Sequence, residues 1–161
     1  MIYEVTGDIL LTKAQAIAHG VAPNDHFNQG LALHLREMAP AMYKDFRHYY
    51  QTHHPKEGTI WVWSGADGRR IVNLLTQVSA KDHDSHPGKA TLSNIASALK
   101  ELRKWVEKEE VRSLSLPRLA TGVGGQQWSD VKPLIEKHLG DLKIPVYVYT
   151  VYQKGVKAQE P

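Results

Sequence analysis

The sequence contains no cysteine, which excludes both disulfide staples and thiolate metal sites. It also has no apolar run long enough to span a membrane and no charged-then-apolar leader. Together these absences lead us to expect a cytoplasmic protein with no membrane partner. Charge of one sign is scarce as well: 20 Lys and Arg stand against 17 Asp and Glu, a net of +3. The basic residues are spread along the chain apart from Arg69–Arg70 and Arg103–Lys104, so no charge stripe points to nucleic-acid binding, although polyanions would be mildly attracted. Internal repeats, low-complexity tracts and an interdomain linker are missing too. The 161 residues suit one domain over 1–152, large enough to bury most of its apolar surface, with a polar tail at 153–161 expected to be disordered.

The most informative stretch is Ser113–Leu139. Leu114, Leu116 and Leu119 make a short apolar run of the kind that forms a buried strand, and Val131, Leu134, Ile135, His138 and Leu139 recur at the spacing of a helix face. Between them lie Thr121, Gly122, Val123, Gly124 and Gly125. A strand that opens through clustered glycines into a helix lets backbone N–H groups approach an anion, and the helix dipole favours negative charge at that end. The loop lacks the lysine of a P-loop and the spacing of a dinucleotide fingerprint. It therefore reads as a cradle for a pyrophosphate-like group, with no apparatus for phosphoryl transfer.

A second junction of this type lies upstream. The apolar run Ala14–Val21 leads into the polar loop Ala22–Gly30, and Leu31, Leu35 and Met38 then follow at helical spacing. Before it, Met1–Thr6 reads as a strand ending at Gly7-Asp8, where the aspartate can cap the next turn or accept hydrogen bonds from a ligand's amino group, capping being the commoner role. Pro40 begins a helix with Met42, Phe46, Tyr49 and Tyr50 on its apolar side. Asp67-Gly68 marks a hairpin between strands Thr59–Ser64 and Arg70–Thr76, with Trp61 and Trp63 opposite Ile60 and Val62, a pattern of burial on both sheet faces. Thr91 or Ser93 can cap a helix carrying Ile95, Leu99, Leu102 and Val106, and Ile144–Tyr152 alternates as a closing strand. His53 and His54 read as exposed, and the segment with Asp82, His83, Asp84 and His86 as a solvated loop or a lid; no metal is expected. These elements give an α/β fold, a single three-layer α/β/α domain with a mixed central sheet, and ligands of such sheets settle outside the carboxyl ends of the strands.

Four pieces, V-T-G-D-I-L at Val5–Leu10, I-A-H at Ile17–His19, G-L-A at Gly30–Ala32 and L-P-R-L-A-T-G-V-G-G-Q-Q-W at Leu116–Trp128, resemble in that order a macrodomain, the ADP-ribose-binding module. The similarity runs from Tyr3 to about Val151 and is closest to the branch containing the terminal ADP-ribose protein glycohydrolase and the antitoxins that remove ADP-ribose from DNA. The resemblance implies ADP-ribose as ligand, free or attached to protein, DNA or RNA, with no cofactor. It places Asp8 and the Ile9 amide on the adenine, Thr121, Gly122, Val123, Gly124 and Gly125 around the diphosphate, Asn24 and the Asn28, Gln29 and Gly30 backbone at the distal ribose, and Tyr152 over the adenine. A monomer is expected.

Three departures bear on activity. Hydrolases of this branch carry a lysine where this chain has Gln77, the protein hydrolase has an aspartate where Gly124 stands, and Phe27-Asn28-Gln29-Gly30 replaces a Met-Gly-Ala-Gly-like run, implying a bulkier and more polar wall beside the distal ribose. A glutamine amide lacks the nucleophilicity of an amine. Hydrolysis would then require water activated by Asp25 or His26, with Asn24 beside them, or Lys81 folding back in place of the missing lysine. A reader that binds ADP-ribose and releases it unchanged is the alternative. A module for RNA or other nucleotides is a third reading, which no interleaving of aromatic and basic residues in the sequence supports.

Overall fold

The computed structural model describes residues 1–82 and 85–161. Six strands, β1 (Ile2–Gly7), β2 (Ala16–Val21), β3 (Ile60–Ser64), β4 (Arg70–Leu75), β5 (Leu114–Pro117) and β6 (Val146–Tyr152), form one sheet in the order β1-β6-β5-β2-β4-β3. Every neighbouring pair is parallel except β3 against β4, the hairpin closed at Asp67-Gly68. β2 sits near the middle and has no polar alternation because both of its faces are covered; five of its six residues are buried.

Helices α1 (Gly30–Met38) and α2 (Pro40–His53) cover one face, over a cluster with Phe27, Phe46, Ile71 and Leu75. Helices α3 (Leu92–Lys108) and α4 (Trp128–Leu139) cover the other, over Ala18, Leu74, Leu99, Leu116 and Ile135. The result is the expected three-layer domain. Thr91, rather than Ser93, caps α3 by accepting from the Asn94 amide at 3.0 Å. Both sides of β3 do meet apolar neighbours, Ile60 and Val62 against one cluster and Trp61 and Trp63 against the other. All four remain half-buried, because β3 is an edge strand.

One expectation needs correcting. Instead of being disordered, residues 153–161 pack back across the domain. The Gly155 amide donates to the Asp8 carboxylate at 2.9 Å and the Asp8 amide to the Val156 carbonyl at 2.7 Å. The Glu160 carboxylate accepts from the Tyr149 hydroxyl at 2.6 Å, from the Lys13 amide at 2.9 Å and from the Thr12 hydroxyl. The cause lies in β6. Tyr147 and Tyr149 are buried, their hydroxyls need acceptors, and the tail supplies them through Glu160 and, for Tyr147, the Pro161 carbonyl at 2.5 Å. Burial first, and then the neighbouring carboxylate, hold the Tyr149 phenol well above its usual range.

Candidate active site

The five parallel strands bring their carboxyl ends to one edge of the sheet, so the loops following β1, β2, β4, β5 and β6 gather there. They enclose a cavity of about 220 Å3, lined at one end by His19, Asp25 and Gln77, at the other by Leu31 and Pro117, and along its length by Arg118, Ala120 and Gly122–Gly124.

The loop after β5 is closed by its own hydrogen bonds: Gln126 N to the Ala120 carbonyl at 2.9 Å, Gly125 N to Gly122 at 3.0 Å, and the Thr121 hydroxyl to Arg118 at 2.8 Å. The amides of Gly122, Val123 and Gly124 have no acceptor among the described residues. Three backbone donors side by side on a cavity wall form an anion nest. Gly124 must be glycine here, since a Cβ would stand 2.7 Å from the Ala120 carbonyl oxygen. Gln126 and Gln127 separate this loop from α4, so no residue of α4 lines the cavity. The helix end facing it is that of α1: Gly30, Leu31 and Ala32 are lining residues, and the N-cap Gln29 makes no side-chain cap bond. The dipole expected from the helix after the glycines is thus supplied by the helix after the first loop.

A second, more apolar cavity of about 290 Å3 adjoins the first, sharing Gly30, Leu31 and Pro117 and adding Ile9, Leu10, His34, Tyr149 and Tyr152. Of its lining residues Tyr152 is the most open to solvent, 57% exposed. Asp8 caps the short 3-10 turn Ile9–Leu11 through the Leu10 amide at 3.0 Å, and its other oxygen takes the Gly155 amide. The carboxylate is therefore fixed in place, and each oxygen keeps a lone pair beyond the bond it already accepts.

At the opposite end the structure separates residues that the sequence places together. Asp25 lines the first cavity, its two oxygens accepting from the Ala22 amide at 3.0 Å and the Phe27 amide at 2.8 Å. Asn24 is buried against a different segment, bonding both ways with the Ala80 backbone at 2.9 Å. His26 and Lys81 line a separate small pocket together with that Asn24–Ala80 pair, Arg47 and Tyr50, so only Asp25 is parted from its neighbours. Phe27, read from sequence as bulk beside the distal ribose, instead turns inward and is fully buried. Gln77 lines the cavity while its amide nitrogen donates to the Gly88 carbonyl at 3.2 Å, fastening the loop that follows β4. His83 and Asp84, part of the segment weighed as a metal site or lid, lie outside the described residues.

Sequence reasoning gave no role to His19, Arg118 or Lys89. His19 is buried, and its Nε2 is 2.6 Å from the Asn73 side-chain oxygen. Because the Asn73 nitrogen donates to the Trp61 carbonyl, its oxygen is the acceptor, Nε2 carries the proton and Nδ1 is left as an acceptor. Burial pushes this imidazole down to about 4. The unfolded chain takes up a proton near pH 6.5 that the folded chain refuses until about 4, so stability should fall as pH drops through that window, by on the order of 3 kcal/mol. Urea unfolding between pH 7.5 and 4.5 should show a steeper loss for the wild type than for His19→Gln. Arg118 lines the cavity with its guanidinium over the Trp128 ring, 5.7 Å from the centroid. The stem of Lys89 lies where a Gly125 side chain would go, 3.1 Å from that Cβ position. His19 and Arg118 were visible beforehand only as members of the I-A-H and L-P-R-L runs, and Lys89 not at all.

No protein-family model matches the chain. It is similar to a DNA ADP-ribosyl glycohydrolase of Thermus aquaticus, 29% identical over 92% of this chain and 41% of that protein. A human ADP-ribose glycohydrolase, OARD1, is 27% identical over 91% of this chain and 90% of its own length. Among solved structures, the macrodomain of Thermus aquaticus DarG superposes with a TM-score of 0.81 at 28% identity, covering 93% of this chain and 98% of that one. The chain is a macrodomain. Its relatives place it in the branch of DarG and OARD1, and the macrodomain spans about two fifths of the length of the bacterial relatives it matches.

Proposed function

We propose that this macrodomain binds ADP-ribose in the paired cavities and removes it by hydrolysis from a modified macromolecule. The observation that carries the reading is the nest of three unpaired amides at Gly122–Gly124 facing the uncapped N-terminus of α1 across one cavity. Two backbone arrays directed at the same space suit a diphosphate. The adenine then lies in the slot between Ile9 and Tyr152, near Asp8, and the distal ribose reaches Asp25, His19 and Gln77. At that end Asp25 takes the proton of an attacking water, Asn24 positions the loop through Ala80, and His26 stands on the side where the attached group leaves. Curated relatives named as DNA ADP-ribosyl glycohydrolases support DNA as one attached group. We read the protein as a cytoplasmic monomer that needs no cofactor; among the described residues no helix is long and apolar enough to cross a membrane.

A reader without turnover is favoured by one feature, Gln77. Its amide is committed to the Gly88 carbonyl and offers neither a nucleophile nor a titrating group where the branch has lysine. Incubation with ADP-ribosylated DNA and ADP-ribosylated protein, scored for released ADP-ribose, separates the two. Release by the wild type, lost in Asp25→Asn, fits the hydrolase. Tight binding without release on either substrate assigns a reader. Failure to bind ADP-ribose at all sinks both. A Gln77→Lys variant should release ADP-ribose at least about tenfold faster in the same assay, since a positioned amine supplies acid–base or nucleophilic help of that order or more. An unchanged rate would show that chemistry at this position does not limit release.

A further inference from the structure

On the sheet face that α1 and α2 cover, a further apolar cluster lies beside them over β1, β6 and the start of β2. Val5, Ile17, Tyr147 and Tyr149 are buried there, and Ala158 of the segment 153–161 packs against them. That segment is fastened at both of its ends. At one end the Glu160 carboxylate sits in a socket of donors: the Tyr149 hydroxyl at 2.6 Å, the Lys13 amide at 2.9 Å, the Ser115 hydroxyl at 3.4 Å and the Thr12 hydroxyl. Beside it the Pro161 carbonyl accepts from the Tyr147 hydroxyl at 2.5 Å.

At the other end the segment closes on Asp8. The Gln153 amide donates to the Gly7 carbonyl at 3.0 Å, the Asp8 amide donates to the Val156 carbonyl at 2.7 Å, and the Gly155 amide donates to Asp8 Oδ2 at 2.9 Å. Gly7 makes room for this contact, since a Cβ there would stand 2.8 Å from both the Val156 carbonyl oxygen and the Ala158 nitrogen. Asp8 Oδ1 takes the Leu10 amide at 3.0 Å. One donor from the turn and one from the tail therefore fix the carboxylate, which without Gly155 would keep a single bond and be free to rotate. Residues 153–157 are exposed, so the stretch that reaches Asp8 is held by its bonds and by the Glu160 end rather than by its own burial.

We infer that residues 153–161 form a strap that aims the Asp8 carboxylate at the exocyclic amino group of a purine, with Glu160 as the positioning residue that latches it. The inference rests on the proposed reading of the cleft, which puts the adenine near Asp8. Neither Glu160 nor Gly155 lines either cavity, so their influence on a ligand passes through Asp8. Lifting the strap leaves the Gly122–Gly124 amides and the start of α1 where they are. It therefore removes selectivity for the base while the grip on the phosphates persists.

The test pairs amide hydrogen exchange of the ligand-free protein, followed by NMR, with calorimetry of ADP-ribose and of its hypoxanthine counterpart, which has a carbonyl in place of the amino group. In Glu160→Ala the Asp8 and Leu10 amides should exchange at least about tenfold faster, because the charged bonds that latch the strap are gone, while amides of β2 and β4 keep their rates. The wild type should prefer ADP-ribose over the counterpart by about tenfold, the scale of one hydrogen bond to a charged group. Glu160→Ala should bring that preference to within about twofold by losing affinity for ADP-ribose alone. General loosening of the site would weaken both ligands and leave the ratio unchanged, which overturns the proposal, as does wild-type exchange at Asp8 in the variant. Should Glu160→Ala fail to fold, Tyr147→Phe decides, since it loses only the Pro161 bond: exchange at Asp8 about fivefold faster supports the strap, and an unchanged rate overturns it. A wild type that binds both ligands equally overturns the proposal and leaves the diphosphate reading standing. A wild type that binds neither, with Asp8 exchange still governed by Glu160, refutes the reading of the cleft and supports the strap's hold on Asp8.

Discussion

Replacing Phe27 with alanine should lower the unfolding free energy by about 3–5 kcal/mol, as expected for removing a fully buried aromatic ring, and should cripple ligand binding in the same variant. The ring has no exposure and lies 5.0 Å from Phe46, 5.5 Å from Tyr43 and, edge-on, 5.6 Å from His19. It is thus the anchor that ties the first loop to the core over α2. Its backbone is left-handed, at φ +53°, a conformation that costs free energy for a non-glycine residue and persists only where the surroundings enforce it. Alanine keeps that cost and loses the anchor. Thermal unfolding followed by tryptophan fluorescence should show a midpoint lower by on the order of 10 °C. Calorimetry below that midpoint should show weakened ADP-ribose binding, because Asp25 and the start of α1 flank the freed residue. A change under about 1 kcal/mol would mean that the Asp25 turn and the bonds from Arg36 to the His26 carbonyl and from Arg47 to the Asn24 carbonyl hold the loop unaided.

Gly124→Ala should act on binding instead of stability. Its Cβ would lie 2.7 Å from the Ala120 oxygen and 2.9 Å from the Ala120 Cα, both backbone atoms that cannot swing aside. The loop must open, and opening it turns the Gly122–Gly124 amides away from the cavity in which we propose the diphosphate binds. Losing two hydrogen bonds to a charged group, each worth about 1.5–3 kcal/mol, predicts a fall in ADP-ribose affinity of about a hundredfold or more. Val123→Ala, at a side chain 47% exposed, should stay within about threefold. Calorimetry of the two variants side by side makes the comparison. The same clash explains why the aspartate expected here in the protein hydrolase cannot be grafted by one substitution: Gly124→Asp should lose binding just as the alanine does.

The fold was largely legible because its signals are local. The apolar run of β2, the Asp67-Gly68 turn and the stripe of Ile95, Leu99, Leu102 and Val106 each follow from the period of one element. The two loops that line the cavity were legible for the same reason, since polar and glycine-rich segments sit directly after apolar strands. What could not be read was which neighbours in sequence become neighbours in space. Asn24, Asp25 and His26 are consecutive, yet the turn that Asp25 caps sends Asp25 to the cleft and both Asn24, bonded to Ala80, and His26 to the pocket beside Arg47. The tail was misjudged because its polar composition says nothing about the buried tyrosine hydroxyls waiting on β6.

The sequence by itself determined the elements and their order, because apolar periodicity and glycine placement act over a few residues and survive in any context, while the family rested on the resemblance of four short motifs. Only the tertiary structure decided that α1, rather than α4, turns its N-terminus to the cavity, that Phe27 belongs to the core, and that His19 meets Asn73 across β2 and β4. Those outcomes depend on strand register and on competition among side chains for the same buried space, quantities set only when distant segments pack together.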